Sequence, residues 1–208
     1  MDNKFHKATD GIYRLKIPFD TVYTSVFLVE TDIGDILVDC ASNARDVDEF
    51  IVPALEKMGK NMADIKAIVL THRHGDHAGG LERILSLCPQ IDVITDVRTV
   101  CDGICTYPMA GHTKDCIGVL HSRTQTLISG DGLQGAGVDK YRCYTQDREA
   151  YIETVKRIES DETITSILFS HAYEPWNKDS VFGRDEVLNC LIKCIECLGD
   201  KNESNTCK

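Results

Sequence analysis

The chain has 208 residues, of which 42% are hydrophobic and 27% charged. That is enough apolar material for one substantial domain and excludes wholesale disorder. A net charge of −10 argues against a nucleic-acid partner, because phosphate binding needs a basic face. No run of about 18 apolar residues occurs, so no membrane span is expected. The polar start from Met1 to His6 has no apolar stretch of signal-peptide length, and the expected compartment is the cytoplasm.

Three strands are expected first. Residues 12–17 alternate, residues 25–30 form a continuous apolar run around Val26-Phe27-Leu28-Val29, and residues 35–39 carry Ile36-Leu37-Val38. Thr31-Asp32-Ile33-Gly34 supplies the turn between the last two. Helical spacing of Phe50, Ile51, Leu55 and Met58 predicts a helix over 45–58, ended by Gly59. A buried strand follows at 65–70, then a polar loop at 71–80 and a short helix at 81–88. Strands are expected at 92–94, 117–121, 126–129 and 164–169, the last being the final clear strand. Helices are expected at 148–160 and 185–198. Residues 200–208 read as a polar tail, and 1–199 as a single domain.

The ten cysteines do not suit a disulfide scaffold in an intracellular chain of this size, and they read as reduced thiols. Cys190, Cys194 and Cys197 have spacing that could suggest an iron–sulfur cluster. They share one face of the expected final helix, however, where free Cys packs as a small hydrophobe. Cys101 and Cys105 are a still weaker metal pair.

The segment that carries chemistry is Thr71-His72-Arg73-His74-Gly75-Asp76-His77-Ala78-Gly79-Gly80. Four candidate ligands fall within six residues, directly after a buried strand. Imidazole nitrogens with a carboxylate suit zinc, iron or manganese better than calcium. Asp76 and His77 are adjacent and do not easily aim at a metal held by His72 and His74, which two neighbouring metal centres would resolve. The plainer reading is a solvated loop with incidental histidines. Three of only seven histidines in a six-residue window, in this context, count against it.

This H-x-H-x-D-H run resembles the signature of the metallo-β-lactamase superfamily, and the resemblance continues in order along residues 12–172. Gly111-His112-Thr113 is similar to the family's second metal motif, Ser129-Gly130-Asp131 to the third and Ser170-His171 to the last. Leu37-Val38-Asp39 resembles the strand-end aspartate that braces the metal loop from behind. The resemblance implies a four-layer αββα sandwich of α/β class. It implies two divalent metal ions, zinc first with iron or manganese as alternatives. His72, His74 and His112 would bind one ion, Asp76, His77 and His171 the other, and Asp131 would join the two. Asp76 and Asp131 would be the catalytic carboxylates, serving a bridging hydroxide that attacks an ester, thioester, lactone or phosphoester. His6 and His121 are left over, with structural or surface roles.

Among members of the superfamily, the segment 130–140 resembles the stretch after the bridging aspartate in glyoxalase II, where a lysine placed like Lys140 helps hold the thiol carrier's carboxylate. Lys140, Tyr141 and Arg142 are therefore candidate contacts to a small, anionic substrate, against the plainer reading of solvated loop residues. Only 37 residues follow His171, which puts a dedicated glutathione thioesterase in doubt. Only 34 residues separate His77 from His112, which points to a shallower mouth or to a wall supplied by the second subunit of a homodimer. Two other classes stay open: a mononuclear iron dioxygenase acting on persulfides through His72, His112 and Asp131, and a binding protein without turnover. A phosphodiesterase is a further alternative within the hydrolases.

Overall fold

The computed structural model describes residues 2–133, 145–173 and 176–198. Two six-stranded sheets stack on each other. The first runs in sequence order: β1 (His6–Thr9), β2 (Ile12–Phe19), β3 (Val22–Val29), β4 (Asp35–Val38), β5 (Ile65–Val69) and β6 (Asp92–Ile94). Pairing is antiparallel from β1 to β4 and parallel from β4 to β6. The second sheet holds β7 (Thr99–Cys101), β8 (Ile104–Pro108), β9 (Ile117–His121), β10 (Thr126–Ile128), β11 (Ser166–Leu168) and β12 (Ser180–Phe182), again in order, with β10 and β11 parallel.

The layering follows from side-chain alternation along the strands. Phe27, Val29, Ile36, Val38 and Val69 face inward and meet Ile117, Val119, Ile128 and Leu168 of the opposite sheet. The alternate residues Val26, Leu28, Leu37 and Ile68 face outward onto the first helical layer. That layer contains α1 (residues 44–57) and α3 (Leu81–Leu87). On the far side, Leu120, Leu127 and Ile167 pack against α4 (Arg148–Ser160) and α5 (Arg184–Cys197). The expected αββα sandwich is the observed architecture. No helix among the described residues is long and apolar enough to cross a membrane.

Helix limits follow local chemistry. Asn43 caps α1 by accepting from the Asp46 N–H, and Asp147 caps α4 by accepting from the Ala150 N–H. Within α1 the stretch Val47–Ile51 is π-helical. It lies just before Pro53, which has no N–H to donate to the preceding turn.

Three differences from the expected elements stand out. The 71–80 loop contains a single helical turn, α2 (Gly75–Ala78). A hairpin of β7 and β8 turns at Gly103, and its short strands were not anticipated. The strand at 166–168 is followed by one more, β12, which pairs with it along three residues. These segments are strands because a neighbouring edge pairs with them. Cys190 and Cys194 lie in the core beneath the second sheet, with Cys197 packed against it, as the helical-face reading expected.

Candidate metal centre

The site lies where β4, β5, β10 and β11 all end at the same edge of the sandwich. Asp39 follows β4, Thr71 to His77 follow β5, Ser129 to Asp131 follow β10, and Ser170-His171 follow β11. Backbone bonds fix each exit: the Asp39 N–H donates to Val69, and the Ser129 N–H to Leu168, both over 2.9 Å. The Ile117 N–H donates to the Thr71 carbonyl at 2.8 Å, tying the metal loop to the opposite sheet. His112 precedes β9 on a loop held by the start of α4, where Gln146 and Asp147 N–H groups donate to the Gly111 carbonyl and Thr154 Oγ1 donates to that of Ala110.

Close backbone approach explains two of the glycines in the motifs. A Cβ on Gly79 would stand 1.9 Å from the Ser42 carbonyl oxygen, so only glycine lets α2 lie against the loop after β4. Gly130 has φ +54°, and a Cβ there would meet Thr71 Cβ at 2.6 Å.

All seven residues expected as ligands converge. His74 Nδ1 lies 3.0 Å from both His72 Nε2 and His112 Nε2. His77 Nε2 and His171 Nε2 are 3.2 Å apart, and each is 3.2 Å from Asp76 Oδ2. Asp131 lies between these two sets. Its Oδ1 is 3.4 Å from His77 and 3.3 Å from His171, while Oδ2 is 3.7 Å from His112. Three overlapping groups result: His72, His74 and His112; His72, His77 and Asp131; Asp76, His77 and His171.

These spacings suit metal ligands as well as hydrogen bonds. Zinc bonds of about 2.0–2.1 Å in a tetrahedron give ligand-to-ligand edges of roughly 3.3 Å. The separations of 3.0–3.7 Å scatter around that value. The donors are imidazole nitrogen and carboxylate oxygen, a set suited to zinc, iron or manganese.

Bracing groups set the direction of the rings. Asp39 is fully buried, and its backbone lies in the left-handed region at φ 63°. It accepts from the Thr71 N–H at 2.8 Å, from Thr71 Oγ1 at 2.9 Å and from His77 Nδ1 at 2.7 Å. A carboxylate only accepts, so His77 carries its proton on Nδ1 and leaves Nε2 to face the cluster. His171 is oriented likewise, donating through Nδ1 to the Tyr23 carbonyl at 2.7 Å.

The electrostatics are those of a concentrated charge site. Burial opposes charge on His72, and neighbouring His77 adds to this, pushing its pKa down to about 2. Burial also opposes charge on His171, but the Asp131 carboxylate outweighs it and raises the pKa to about 9. Asp76 and Asp131 are held well below the usual carboxylate range despite burial, by His171 and His77 beside them.

The remaining expectations fall as follows. His6 is exposed and bonds Asp2, and His121 is buried with Nδ1 bound to Thr124, so neither reaches the cluster. Lys140, Tyr141 and Arg142 lie outside the described residues. Two aromatic neighbours were not anticipated. Phe19, 37% exposed on the β2–β3 hairpin, has its ring 6.4 Å from that of His171, and the Tyr173 ring is 5.5 Å from it. A large apolar residue at an exposed hairpin tip, Phe19-Asp20-Thr21-Val22, was the available signal for Phe19.

Comparison with known proteins bears on the family and the fold. The family model described as the metallo-beta-lactamase superfamily matches residues 19–95. A solved metallo-beta-lactamase from Pontibacter korlensis superposes with a TM-score of 0.71 at 16% identity, covering 95% of this chain and 99% of that one. Another, from Erythrobacter litoralis, gives 0.65 at 20% identity, covering 91% and 96%. The chain is similar to the metallo-β-lactamase superfamily over residues 19–95 and shares the fold of these solved structures. Among the curated proteins it resembles are hydroxyacylglutathione hydrolases. That of Actinobacillus pleuropneumoniae serotype 5b (strain L20) is 28% identical over 164 residues, or 71% of this chain and 65% of the relative. That of Francisella philomiragia subsp. philomiragia is 27% identical over 162 residues, or 68% and 62%. The matched stretch thus spans a little under two thirds of each relative's length.

Proposed function

We propose that the chain is a two-metal hydrolase that cleaves a thioester, lactone or related ester of a small, anionic metabolite. The observation that carries this reading is the convergence of five imidazoles and two carboxylates on one strand-end edge at metal-ligand spacing. His72, His74 and His112 would hold one ion and Asp76, His77 and His171 the other, with Asp131 offering one oxygen to each. When bound, such ions, zinc in this reading, supply Lewis acidity and bring the pKa of water to near 7.

The chain's own residues do the rest. Asp39 and the Tyr23 carbonyl lock the His77 and His171 tautomers. The Asp76 side chain is the more open of the two carboxylates, at 14% exposure against 9% for Asp131, and can accept a hydrogen bond from the water that attacks. Phe19 and Tyr173, with rings 6.4 Å and 5.5 Å from that of His171, would offer apolar surface to a substrate beside it. In the reaction the water oxygen joins the acyl carbon, the C–S or C–O bond breaks, and the leaving sulfur or oxygen takes up a proton. The glutathione thioesters acted on by the curated relatives make a carboxylated thioester the first substrate to try, with Lys140 as its charge partner.

The test is metal analysis followed by a substrate panel. Chelator-stripped protein reloaded with zinc, manganese or iron should bind about two ions per chain and hydrolyse a thioester or lactone in proportion to metal bound. A single iron per chain with oxygen uptake on a persulfide would instead establish the dioxygenase class and overturn the proposal.

A further inference from the structure

The Asp76–His77–His171 half of the site is clamped from one strand. Tyr23, Thr24 and Ser25 are consecutive on β3, and each makes a hydrogen bond to a segment bearing one of these residues. The Tyr23 carbonyl accepts from His171 Nδ1 at 2.7 Å, Thr24 Oγ1 donates to the Asp76 carbonyl at 3.1 Å, and Ser25 Oγ donates to the Ser170 carbonyl at 2.7 Å. Thr24 and Ser25 are both fully buried, and the four residues that follow them in the strand are apolar.

Those two hydroxyls stand where the backbone does not complete its own pattern. In a continued helix the Gly80 N–H would donate to the Asp76 carbonyl, but it donates to Ala41 instead. Thr24 takes its place and fixes the end of α2 that carries His77. Ser170 lies in the turn after β11, and Ser25 reaches across from the other sheet to hold its carbonyl, next to His171. Valine and alanine match these side chains closely in volume, but they would leave the buried Ser170 carbonyl and the partly buried Asp76 carbonyl without these donors.

We infer that Thr24 and Ser25 are positioning residues that set the metal affinity of the Asp76–His77–His171 half of the centre. The inference rests on the two-metal reading above. The other half is braced differently, with His72 Nδ1 against Thr71 Oγ1 at 3.1 Å. Loss of the β3 hydroxyls therefore acts on one half and spares the other.

The experiment titrates zinc into the metal-stripped full-length chain against a chromophoric chelator, with thermal unfolding of the same apo samples alongside. Wild type should bind in two resolved steps. In the Thr24→Val, Ser25→Ala double variant one step should weaken by about 10- to 100-fold, the range for groups that orient metal ligands. The other step should be unchanged, and Thr24→Ser should keep both. Equal weakening of both steps with a lower apo Tm, or no weakening of either, overturns the inference. If the double variant does not fold, Thr24→Val alone is read by the same criteria, since it removes one clamp. Wild type binding fewer than two ions would defeat the two-metal reading itself, and that result is visible before any substitution is made.

Discussion

Replacing Asp39 by asparagine changes almost no volume, yet it should cost metal affinity sharply. Asp39 serves two fixed donors, the Thr71 N–H and the His77 Nδ1–H, and one rotatable donor, the Thr71 hydroxyl. Asparagine has only one accepting oxygen, so either of its orientations sets an amide N–H against one of the fixed N–H groups. If the amide faces His77, the imidazole relieves the clash by moving its proton to Nε2, the atom aimed at Asp76, Asp131 and His171. A lost charge-assisted bond of about 1.5–3 kcal/mol corresponds to the roughly 10- to 100-fold losses seen when ligand-orienting groups are removed. Asp39→Asn should therefore weaken zinc binding by about that factor in chelator competition, while the far-ultraviolet circular dichroism stays as in wild type. Asp39→Ala should be worse, because it leaves the buried Thr71 N–H unsatisfied at about 1–3 kcal/mol besides. A folded Asp39→Asn protein with wild-type zinc affinity would refute the argument that Asp39 sets the His77 tautomer.

Asp131→Ala should lower metal content and turnover more than alanine at any single histidine, because Asp131 faces both halves of the cluster; near-normal values would remove its joining role. Asp179 binds the buried Arg14 guanidinium at 2.8 Å and accepts from Tyr23 at 3.1 Å. Burial alone would raise its pKa, but Arg14 and Lys16 hold it well below the usual carboxylate range. Its contribution is thus complete above the ordinary carboxylate pKa near 4 and fades as pH falls towards the lowered folded value. Asp179→Ala should cost towards the low end of about 3–5 kcal/mol at neutral pH, and the urea-unfolding gap to wild type should narrow on acidification; a gap independent of pH would count against it. Lys140→Ala should raise KM for a carboxylated thioester about tenfold while leaving neutral esters indifferent; equal effects on both would make Lys140 a surface lysine.

Much of the site was legible in the sequence because metal chemistry restricts the residue types. His72, His74, Asp76 and His77 are neighbours in sequence as well as in space, so they were visible as candidate ligands in one short segment. His112, Asp131 and His171 were visible only as members of an ordered pattern, since singly a histidine or a Ser-Gly-Asp turn has plainer uses. Long strands and helices were equally readable: β2, β3, α4 and α5 carry enough turns or alternations for period to dominate. The sequence pattern by itself therefore gave a helix-covered α/β domain and the four-donor segment, and the family resemblance supplied the two-sheet sandwich and the other three donors.

Tertiary structure alone decided what holds those donors in place. The bond from Ser25 to Ser170 spans 145 positions and that from His171 to the Tyr23 carbonyl spans 148. Neither a buried serine nor a backbone carbonyl announces a distant partner in the chain. The same holds for Phe19 and Tyr173, which lie near His171 only because the β2–β3 hairpin and the turn after β11 meet at one edge. Candidate ligands are recognised by side-chain chemistry, which one sequence displays. Ligand direction comes from hydrogen bonds between segments that only the stacking of the two sheets brings together.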